Sequence, residues 1–187
     1  FALARPRTGG RELMRGGLAT GAVLFAAMSL QQIRLVWTSG GKAGVITGLN
    51  VVLVPLLGLA MGHRPERWAW IGSALAVAGL YLLSVVRGLA LAPGDGPLLA
   101  AAAFFALHVL WIAHWTKRVD PVWLALVQLG VCAVASLAIA AIAEPIRVAS
   151  LLRAAFPIAF TGIAGDGIGY TLQAVAQRDS HPTAAAV

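Results

Sequence analysis

The sequence predicts an all-α fold: a polytopic transmembrane helix bundle with inverted five-helix repeats, truncated at both ends. Composition is the first observation, because 59% of the 187 residues are hydrophobic and 11% are charged, whereas soluble domains carry roughly 25% charged residues. The second is that apolar stretches alternate with short polar connectors, and each stretch approaches the ~20 residues that a helix needs to cross a bilayer. The third is a similarity between the first and the last of these stretches.

Six complete spans and the start of a seventh are expected. Residues 1–15 carry four arginines against one glutamate, and this composition predicts a solvated connector. The six spans, named A to F in chain order, are predicted at residues 17–36, 43–61, 68–86, 97–116, 121–143 and 154–177. The seventh begins near Thr183, and residues 144–153 are expected to form a short interfacial helix between spans E and F.

Turn-forming residues separate the spans. Gly62 and Pro65 interrupt the helical pattern after span B, and a Pro-Gly-Asp-Gly-Pro cluster at residues 93–97 precedes span D. Asp120 offers an N-cap and Pro121 the first helical position of span E. The apolar character within each span is continuous, which excludes a β-barrel, whose strands alternate over about 10 residues. It also excludes soluble helices, which need a polar face.

Basic residues lie in the connectors and give a formal net charge of +7. They form no stripe with interleaved aromatic residues, so no nucleic-acid partner is expected. Nine of the 14 Lys and Arg residues fall on the side of residues 1–15 and five on the other. Because cytoplasmic loops carry the excess of basic residues, this count places residues 1–15 in the cytoplasm of a multi-pass protein of the bacterial inner membrane. Arg34, Lys42 and Arg87 then lie outside, and Arg34 is expected to extend its guanidinium to the interface.

Spans A and F align with each other. Four pairs of identical residues match: Gly21 with Gly162, Gln32 with Gln173, Ser39 with Ser180, and Ala43 with Ala184. Each repeat unit contains five spans, an odd number, so the two copies are expected to cross the membrane in opposite directions. Residues 16–90 are then the remainder of the first repeat, with three helices. Residues 91–187 start the second repeat, with three helices and the start of a fourth.

Four short motifs follow one another in a fixed order: Ser-Gly-Gly-Lys-Ala-Gly from Ser39, Arg-Trp-Ala-Trp-Ile-Gly from Arg67, Gly-Asp-Gly from Gly94, and Gly-Tyr-Thr-Leu-Gln from Gly169. In this order they resemble the fourth helix, the fifth helix, the start of the second repeat and the eighth helix of EamA-like permeases in the drug/metabolite transporter superfamily. The resemblance implies ten helices in two inverted repeats, with a central cavity lined by the third, fourth, eighth and ninth helices among others. It implies transport of amino acids, metabolites, nucleosides or drugs. Asp166, between two glycines, has no counterpart in the family pattern.

Polar side chains inside spans A, B and F are the first candidates for substrate binding. Gln32 and Gln173 are predicted to bind a substrate carboxylate or amide. The alternative is that they join helices, with hydrogen bonds of about 0.6 kcal/mol each. Thr47 and Asn50 share one face of span B near Pro55. The proline has no N–H, so it frees a carbonyl and bends the helix around a cavity, or produces a structural kink alone.

A second group of candidates lies in spans D and F. His108 and Trp111 share a face of span D and are predicted to stack against a substrate or to handle protons. Asp166 lies midway along span F, where an ionisable group marks a pathway or relay, so it is predicted to couple transport to a proton or cation. The alternative is a structural role in a polar crevice opened by its flanking glycines. Tyr170, one turn further, is predicted to pair with Asp166 and to contact substrate.

These features predict a secondary transporter, a permease that moves small metabolites, amino acids or drugs by alternating access. The alternatives are an integral membrane enzyme acting on lipid or prenyl substrates, and a membrane assembly subunit without transport activity. No enzymatic activity, catalytic residue, cofactor or metal site is expected, because no cluster of catalytic side chains is recognisable. The expected partners are a small-molecule substrate and the lipid bilayer. Gly72, Ala76 and Gly79 of span C suit close helix packing, either inside the molecule or in a homodimer.

Overall fold

The described part of the chain is built from helices joined by turns. A computed structural model describes residues 9–62, 65–86, 88, 92–143 and 148–179. The helices are α1 (Gly10–Leu35), α2 (Gly40–Thr47), α3 (Asn50–Ala60), α4 (Arg67–Val86), α5 (Gly96–Trp115) preceded by a 3-10 turn (Pro93–Asp95), α6 (Pro121–Ala143), α7 (Val148–Arg153), α8 (Ala155–Phe160), a π-helical segment (Thr161–Gly169) and α9 (Tyr170–Asp179). The predicted all-α class is confirmed.

Within the described ranges, five helical segments are long and apolar enough to cross a membrane: α1, α2 together with α3, α4, α5 and α6. Predicted spans C, D and E agree with α4, α5 and α6 to within one residue at each end. The predicted N-cap of α6 is also confirmed, because Asp120 Oδ1 accepts the backbone N–H groups of Val122 and Trp123 at 3.0 and 3.2 Å.

Three predictions are refined by the structure. α1 begins at Gly10, so residues 10–15 of the predicted connector are helical; polar side chains are compatible with a helix, and Glu12 in the first turn suits its positive end. Span B is confirmed as one segment, Gly40–Ala60, in which Gly48 and Leu49 separate α2 from α3. Span F consists of α8, the π-helical segment and α9, and it is not among the five segments. The short helix expected at 144–153 is observed as Val148–Arg153.

Other predictions fall on residues outside the described ranges. These are residues 1–8 of the N-terminal connector, residues 144–147, Ser180 and Ala184 of the repeat alignment and the start of the seventh span near Thr183. The inverted repeat and its boundaries at residues 16–90 and 91–187 therefore stay predictions.

The chain divides into two compact units. The described residues of unit 1 fall within 9–25 and 114–179, and those of unit 2 within 26–113. The long helix α1 contributes its first part to unit 1 and its last part to unit 2. Each unit is described separately below.

In unit 1, α1 packs against α6 along a glycine face. A Cβ atom at Gly17 would overlap Val127 Cγ1, and one at Gly21 would lie 2.7 Å from Val131 Cβ. A step of four residues along α1, from Gly17 to Gly21, matches a step of four residues along α6, from Val127 to Val131. This part of α1 therefore runs parallel to α6, as expected for two membrane-spanning helices with three others between them in the chain. The Cys132 thiol donates to the Gly21 carbonyl at 3.4 Å. The two backbones therefore approach closely because α1 lacks side chains here.

In unit 2, α5 packs against both halves of the broken crossing. Val54 of α3 contacts a buried cluster formed by Ala106, Val109 and Leu110 of α5. At the other end, a second cluster joins α5 to α2 and to the end of α1; its members are Leu98, Ala43, Ile46 and Leu35. The first helix of the predicted second repeat thus forms the core against which α2 and α3 are held.

Candidate functional site

The crossing formed by α2 and α3 is interrupted near its middle. Gly48 and Leu49 separate the two helices, and here Leu49 and Val51 donate backbone hydrogen bonds to carbonyls only three residues back, Ile46 O and Gly48 O, at 3.2 Å each. A Cβ atom at Gly48 would lie 3.2 Å from Leu80 Cδ2 of α4. The absent side chain therefore lets the break lie against α4. Many transporters build their binding sites from discontinuous helices of this kind.

Two of the predicted residues flank this break. The Thr47 hydroxyl donates to the Ala43 carbonyl at 2.8 Å and accepts from Gln31 Nε2 at 3.3 Å. Asn50 is the first residue of α3 and is half-buried. The structure brings Gln31 to the break, whereas the predicted Gln32 is exposed on the adjacent face of α1. Thr47, Asn50 and Gln31 thus provide one hydroxyl and two amides in this part of unit 2.

The proline of the broken crossing has a specific partner on α4. Pro55 lies inside α3 and has no N–H to offer the carbonyl of Val51, four residues earlier. The Ser73 hydroxyl of α4 donates to that carbonyl at 3.1 Å, and Ser73 is 3% exposed. The carbonyl expected to be freed is therefore bonded to a neighbouring helix. Because backbone groups in a bilayer must be satisfied within the protein, this bond stabilises the irregular crossing.

His108 and Trp111 lie on the side of α5 away from α3. The residues of α5 that pack against α3 are Ala106, Val109 and Leu110, and at about 100° per residue His108 points to the opposite side of the helix. His108 is 1% exposed and Trp111 is half-buried. The structure therefore does not bring this predicted pair to the face of α5 that packs against α3.

The π-helical segment is the irregular element of unit 1. It joins α8 to α9 without a break in helical structure. A Cβ atom at Gly167 would lie 3.2 Å from the carbonyl of Gly162, five residues earlier, which matches the i to i+5 pairing of a π-helix. The Thr171 hydroxyl donates to the Gly167 carbonyl at 2.6 Å. Because π-helical turns are rare and are frequent at functional sites, this segment is the candidate site of unit 1.

Asp166 lies within the π-helical segment and is half-buried. The Tyr170 phenol of α9 and the Cys132 thiol of α6 interact with it electrostatically. Asp166, Tyr170 and Cys132 thus lie in the same part of unit 1, and the pairing of Asp166 with Tyr170 stays a prediction. Gln173 lies one turn beyond Tyr170 and is half-buried, so the predicted polar residues Tyr170 and Gln173 both lie on α9, after the carboxylate.

Gln177 extends this series and was missed in the sequence. Its side chain is 0% exposed, and neither its amide nitrogen nor its amide oxygen has a hydrogen-bond partner among the described residues. An unpaired buried amide is costly, which distinguishes Gln177 from polar residues that join helices. The sequence feature that could have identified Gln177 was its position at the end of an otherwise apolar span.

Three charged side chains meet where α1 ends and where α2 and α5 begin. Lys42 Nζ lies 2.7 Å from Asp95 Oδ2, and Arg34 Nη2 lies 3.4 Å from Asp95 Oδ1. The backbone N–H of Ala92 donates to Asp95 Oδ2 at 2.8 Å. The hydrogen bonds from Lys42 and from Ala92 hold the pKa of the Asp95 carboxyl below its usual value. The Arg34 guanidinium, predicted to extend to the interface, is thus paired with Asp95 at the ends of these helices, and its depth in the membrane stays a prediction.

Metal ligands do not converge in the described ranges. No group of three or more His, Cys, Asp and Glu side chains there is close enough to hold a metal ion. Asp95 is already paired with two basic side chains, which leaves no ligand set around it. The expectation that the protein has no cofactor stays a prediction.

Comparison with known proteins identifies one family and one relative. The family model described as the EamA-like transporter family matches residues 92–187, just over half of the chain. An uncharacterized transporter of Archaeoglobus fulgidus is 30% identical over 115 residues, which cover 61% of this chain and 37% of the relative. The match therefore spans little more than a third of that relative. No solved structure matches the chain.

Proposed function

Because the chain belongs to the EamA-like transporter family, we propose that it is part of a secondary transporter that moves small metabolites, amino acids or drugs by alternating access across the inner membrane of a bacterium. The proposal rests on irregular backbone inside the apolar segments, namely the break at Gly48 and Leu49 and the π-helical segment. In a bilayer, such backbone is tolerated only where protein or a water-filled cavity surrounds it. Each irregular segment therefore marks a position in its own unit where polar groups lie inside the apolar part of the protein.

Substrate binding is proposed at the break between α2 and α3. Thr47 and Asn50 carry a hydroxyl and an amide, which can hydrogen-bond to the amino, carboxylate or hydroxyl groups of a small metabolite. Thr47 is already held by Gln31, so its orientation is fixed before substrate arrives. Within unit 1, Tyr170 and Gln173 of α9 are proposed to contact substrate beside Asp166. Gln32, His108 and Trp111 stay predicted contacts and are not assigned to the break.

Ion coupling is proposed at Asp166. A carboxylate inside a membrane-spanning segment is costly when charged, so its protonation and deprotonation can be linked to a change in its surroundings. A proton taken up on one side neutralises Asp166 and allows the segment to be closed off from water. Release on the other side restores the charge and favours renewed access to water. Tyr170, beside it, supplies a hydroxyl that can hydrogen-bond to either form.

Transport in proteoliposomes tests the proposal. The full-length protein would be reconstituted with a pH gradient, and uptake of a panel of labelled amino acids and nucleosides would be compared for wild type, Asp166→Asn and Glu12→Gln. Glu12 is an exposed acid in the first turn of α1 and serves as the matched control. We expect the gradient to drive uptake in wild type and in Glu12→Gln, but not in Asp166→Asn.

Two results would contradict the proposal at different levels. A folded wild-type protein that moves no compound of the panel, with or without a gradient, would contradict transport of these substrate classes. Uptake in Asp166→Asn that still follows the gradient would remove Asp166 from coupling and leave transport intact.

A further inference from the structure

The cluster of Arg34, Lys42 and Asp95 ties three helix ends together at one end of unit 2. Arg34 is in the last turn of α1, Lys42 is in the first turn of α2, and Asp95 is in the turn that begins α5. Asp95 is 1% exposed, while the side chains of Arg34 and Lys42 are 22% and 16% exposed. A buried carboxylate thus faces two cations that remain in contact with the surface.

The chain around the cluster is shaped to fit it. A Cβ atom at Gly94 would lie 2.7 Å from Arg34 Nη2, so the guanidinium lies directly against the turn and would have to shift if position 94 carried a side chain. Ser39 caps α2 by accepting the backbone N–H of Lys42 at 3.3 Å, which fixes the start of the helix that carries the lysine. Asp95 closes its own turn through Ala92.

The energetics make this cluster different from a surface ion pair. Exposed pairs contribute about 0–1 kcal/mol, whereas removing one partner of a buried pair leaves an uncompensated charge and is strongly unfavourable. Asp95 is therefore stable in two states: buried and paired with the cations, or separated from them and exposed to water. A state in which it is buried but unpaired is strongly unfavourable. Arg34 and Lys42 belong to the predicted first repeat and Asp95 to the predicted second, so the paired state holds elements of both repeats together.

We propose that the Arg34–Lys42–Asp95 cluster is a gate that closes the transport pathway at the end of unit 2 where α1 ends and α2 and α5 begin. The paired cluster is the closed state at that end, and separation of Asp95 from the two cations opens it. From the distribution of basic residues, this end is the outer side. The inference rests on the proposed transport function and adds a specific closure to it.

Labelling of a buried reporter tests the gate without needing a substrate. Thr47→Cys in a Cys132→Ser background places a thiol five residues, or about 7.5 Å along α2, inward of Lys42. The rate of modification by a membrane-impermeant maleimide added outside would be measured for the full-length protein in proteoliposomes of known orientation. Asp95→Asn keeps an oxygen for the Ala92 N–H but removes the charge.

We expect Asp95→Asn to raise the labelling rate at least about tenfold, a shift of ~1.4 kcal/mol in the opening equilibrium. Reversal of the pair, with Lys42→Asp and Asp95→Lys together, is expected to return the rate toward wild type. Arg67→Gln, which removes an exposed arginine at the start of α4, is the matched control and should not change it. If Asp95→Asn does not fold, Gly94→Ala displaces Arg34 alone and should give a smaller increase.

The outcomes separate the gate from the transport proposal. A folded Asp95→Asn protein with a lower melting temperature but an unchanged labelling rate would show a purely structural cluster and overturn the gate. Unchanged labelling with intact uptake would remove the gate and leave the transport proposal standing. Faster labelling of the Asp95→Asn reporter, together with a wild-type protein that moves none of the panel compounds, would contradict the proposed transport and leave a cluster that controls access.

Discussion

The bond from Ser73 to Val51 gives a quantitative prediction about the broken crossing. In wild type, Pro55 has no N–H, and Ser73 Oγ donates to the Val51 carbonyl at 3.1 Å. Ser73→Ala removes this donor from a site where the serine is 3% exposed, so water does not replace it freely. Pro55→Ala introduces an N–H at the position that bonds Val51 in an ordinary helix. The two changes therefore act on the same oxygen.

The expected magnitude comes from measured hydrogen bonds. A typical net contribution is about 0.5–1.5 kcal/mol, and bonds between membrane helices average ~0.6 with a maximum of ~1.7 kcal/mol. We expect Ser73→Ala to lower the free energy of unfolding by about 1 kcal/mol in wild type. In the Pro55→Ala background, where the helix itself supplies a donor, the same change should cost no more than ~0.3 kcal/mol, which leaves a coupling of roughly 0.7 kcal/mol.

A double-mutant cycle measures this coupling. The free energy of unfolding would be determined in mixed micelles for wild type, both single variants and the double variant, with tryptophan fluorescence as the readout. The Pro55→Ala background is the control, since it keeps every side chain around Ser73 except the proline. Equal costs of Ser73→Ala in both backgrounds would refute the reasoning, because the serine would then act through something other than the Val51 carbonyl.

Three further predictions follow from close contacts and from one titratable group. Gly17→Ala is expected to destabilise the protein by about 1–3 kcal/mol through overlap with Val127, and Val127→Ala should recover part of the loss in a thermal unfolding assay. The pKa of Asp95 is lowered from 3.8, so its contribution to stability is present above about pH 3.8 and is lost as the pH falls through the lower folded value. Unfolding measured from pH 6 downward should show this loss in wild type and not in Asp95→Asn. Gly167→Ala, whose Cβ would press on a carbonyl at 3.2 Å, should lower the melting temperature more than Gly165→Ala, whose Cβ would have no neighbour within 4 Å.

The fold was predicted well wherever one local signal decides it. The start of α6 follows from Asp120 and Pro121, and the ends of α4 and α5 follow from where apolar residues stop. Hydropathy predicts which residues lie in the hydrocarbon core of the membrane, and it does not predict where a helix begins. It therefore did not reveal the polar first turns of α1, which begins at Gly10. It also missed the break at Gly48, because that break depends on packing against Leu80 of α4.

The candidate site was predicted in part. Asp166, Thr47 and Asn50 were found because a polar residue inside an apolar span is visible in one dimension. The ionic cluster was not, because Arg34 and Asp95 are 61 residues apart in the chain and each reads as an ordinary boundary residue. One signal was present: the charge count places Arg34 and Lys42 on the outer side, and the turn containing Asp95 is on the same side. The sequence could not show which of Gln31 and Gln32 faces the break, because neighbouring residues of a helix differ only in the direction in which their side chains point.

The π-helical segment has a mechanical consequence for the helix that follows it. The hydrogen bond of a π turn joins residues five apart, and that of an α turn joins residues four apart. A π turn therefore contains one surplus residue. If one π turn became an α turn, its surplus residue would move into a neighbouring turn. The side chains between the old and the new position of that residue would rotate about the helix axis by about 100°. Four of the nine residues are glycines, so few side chains obstruct such a rotation. α9 can in this way present a different set of side chains while its backbone stays helical throughout.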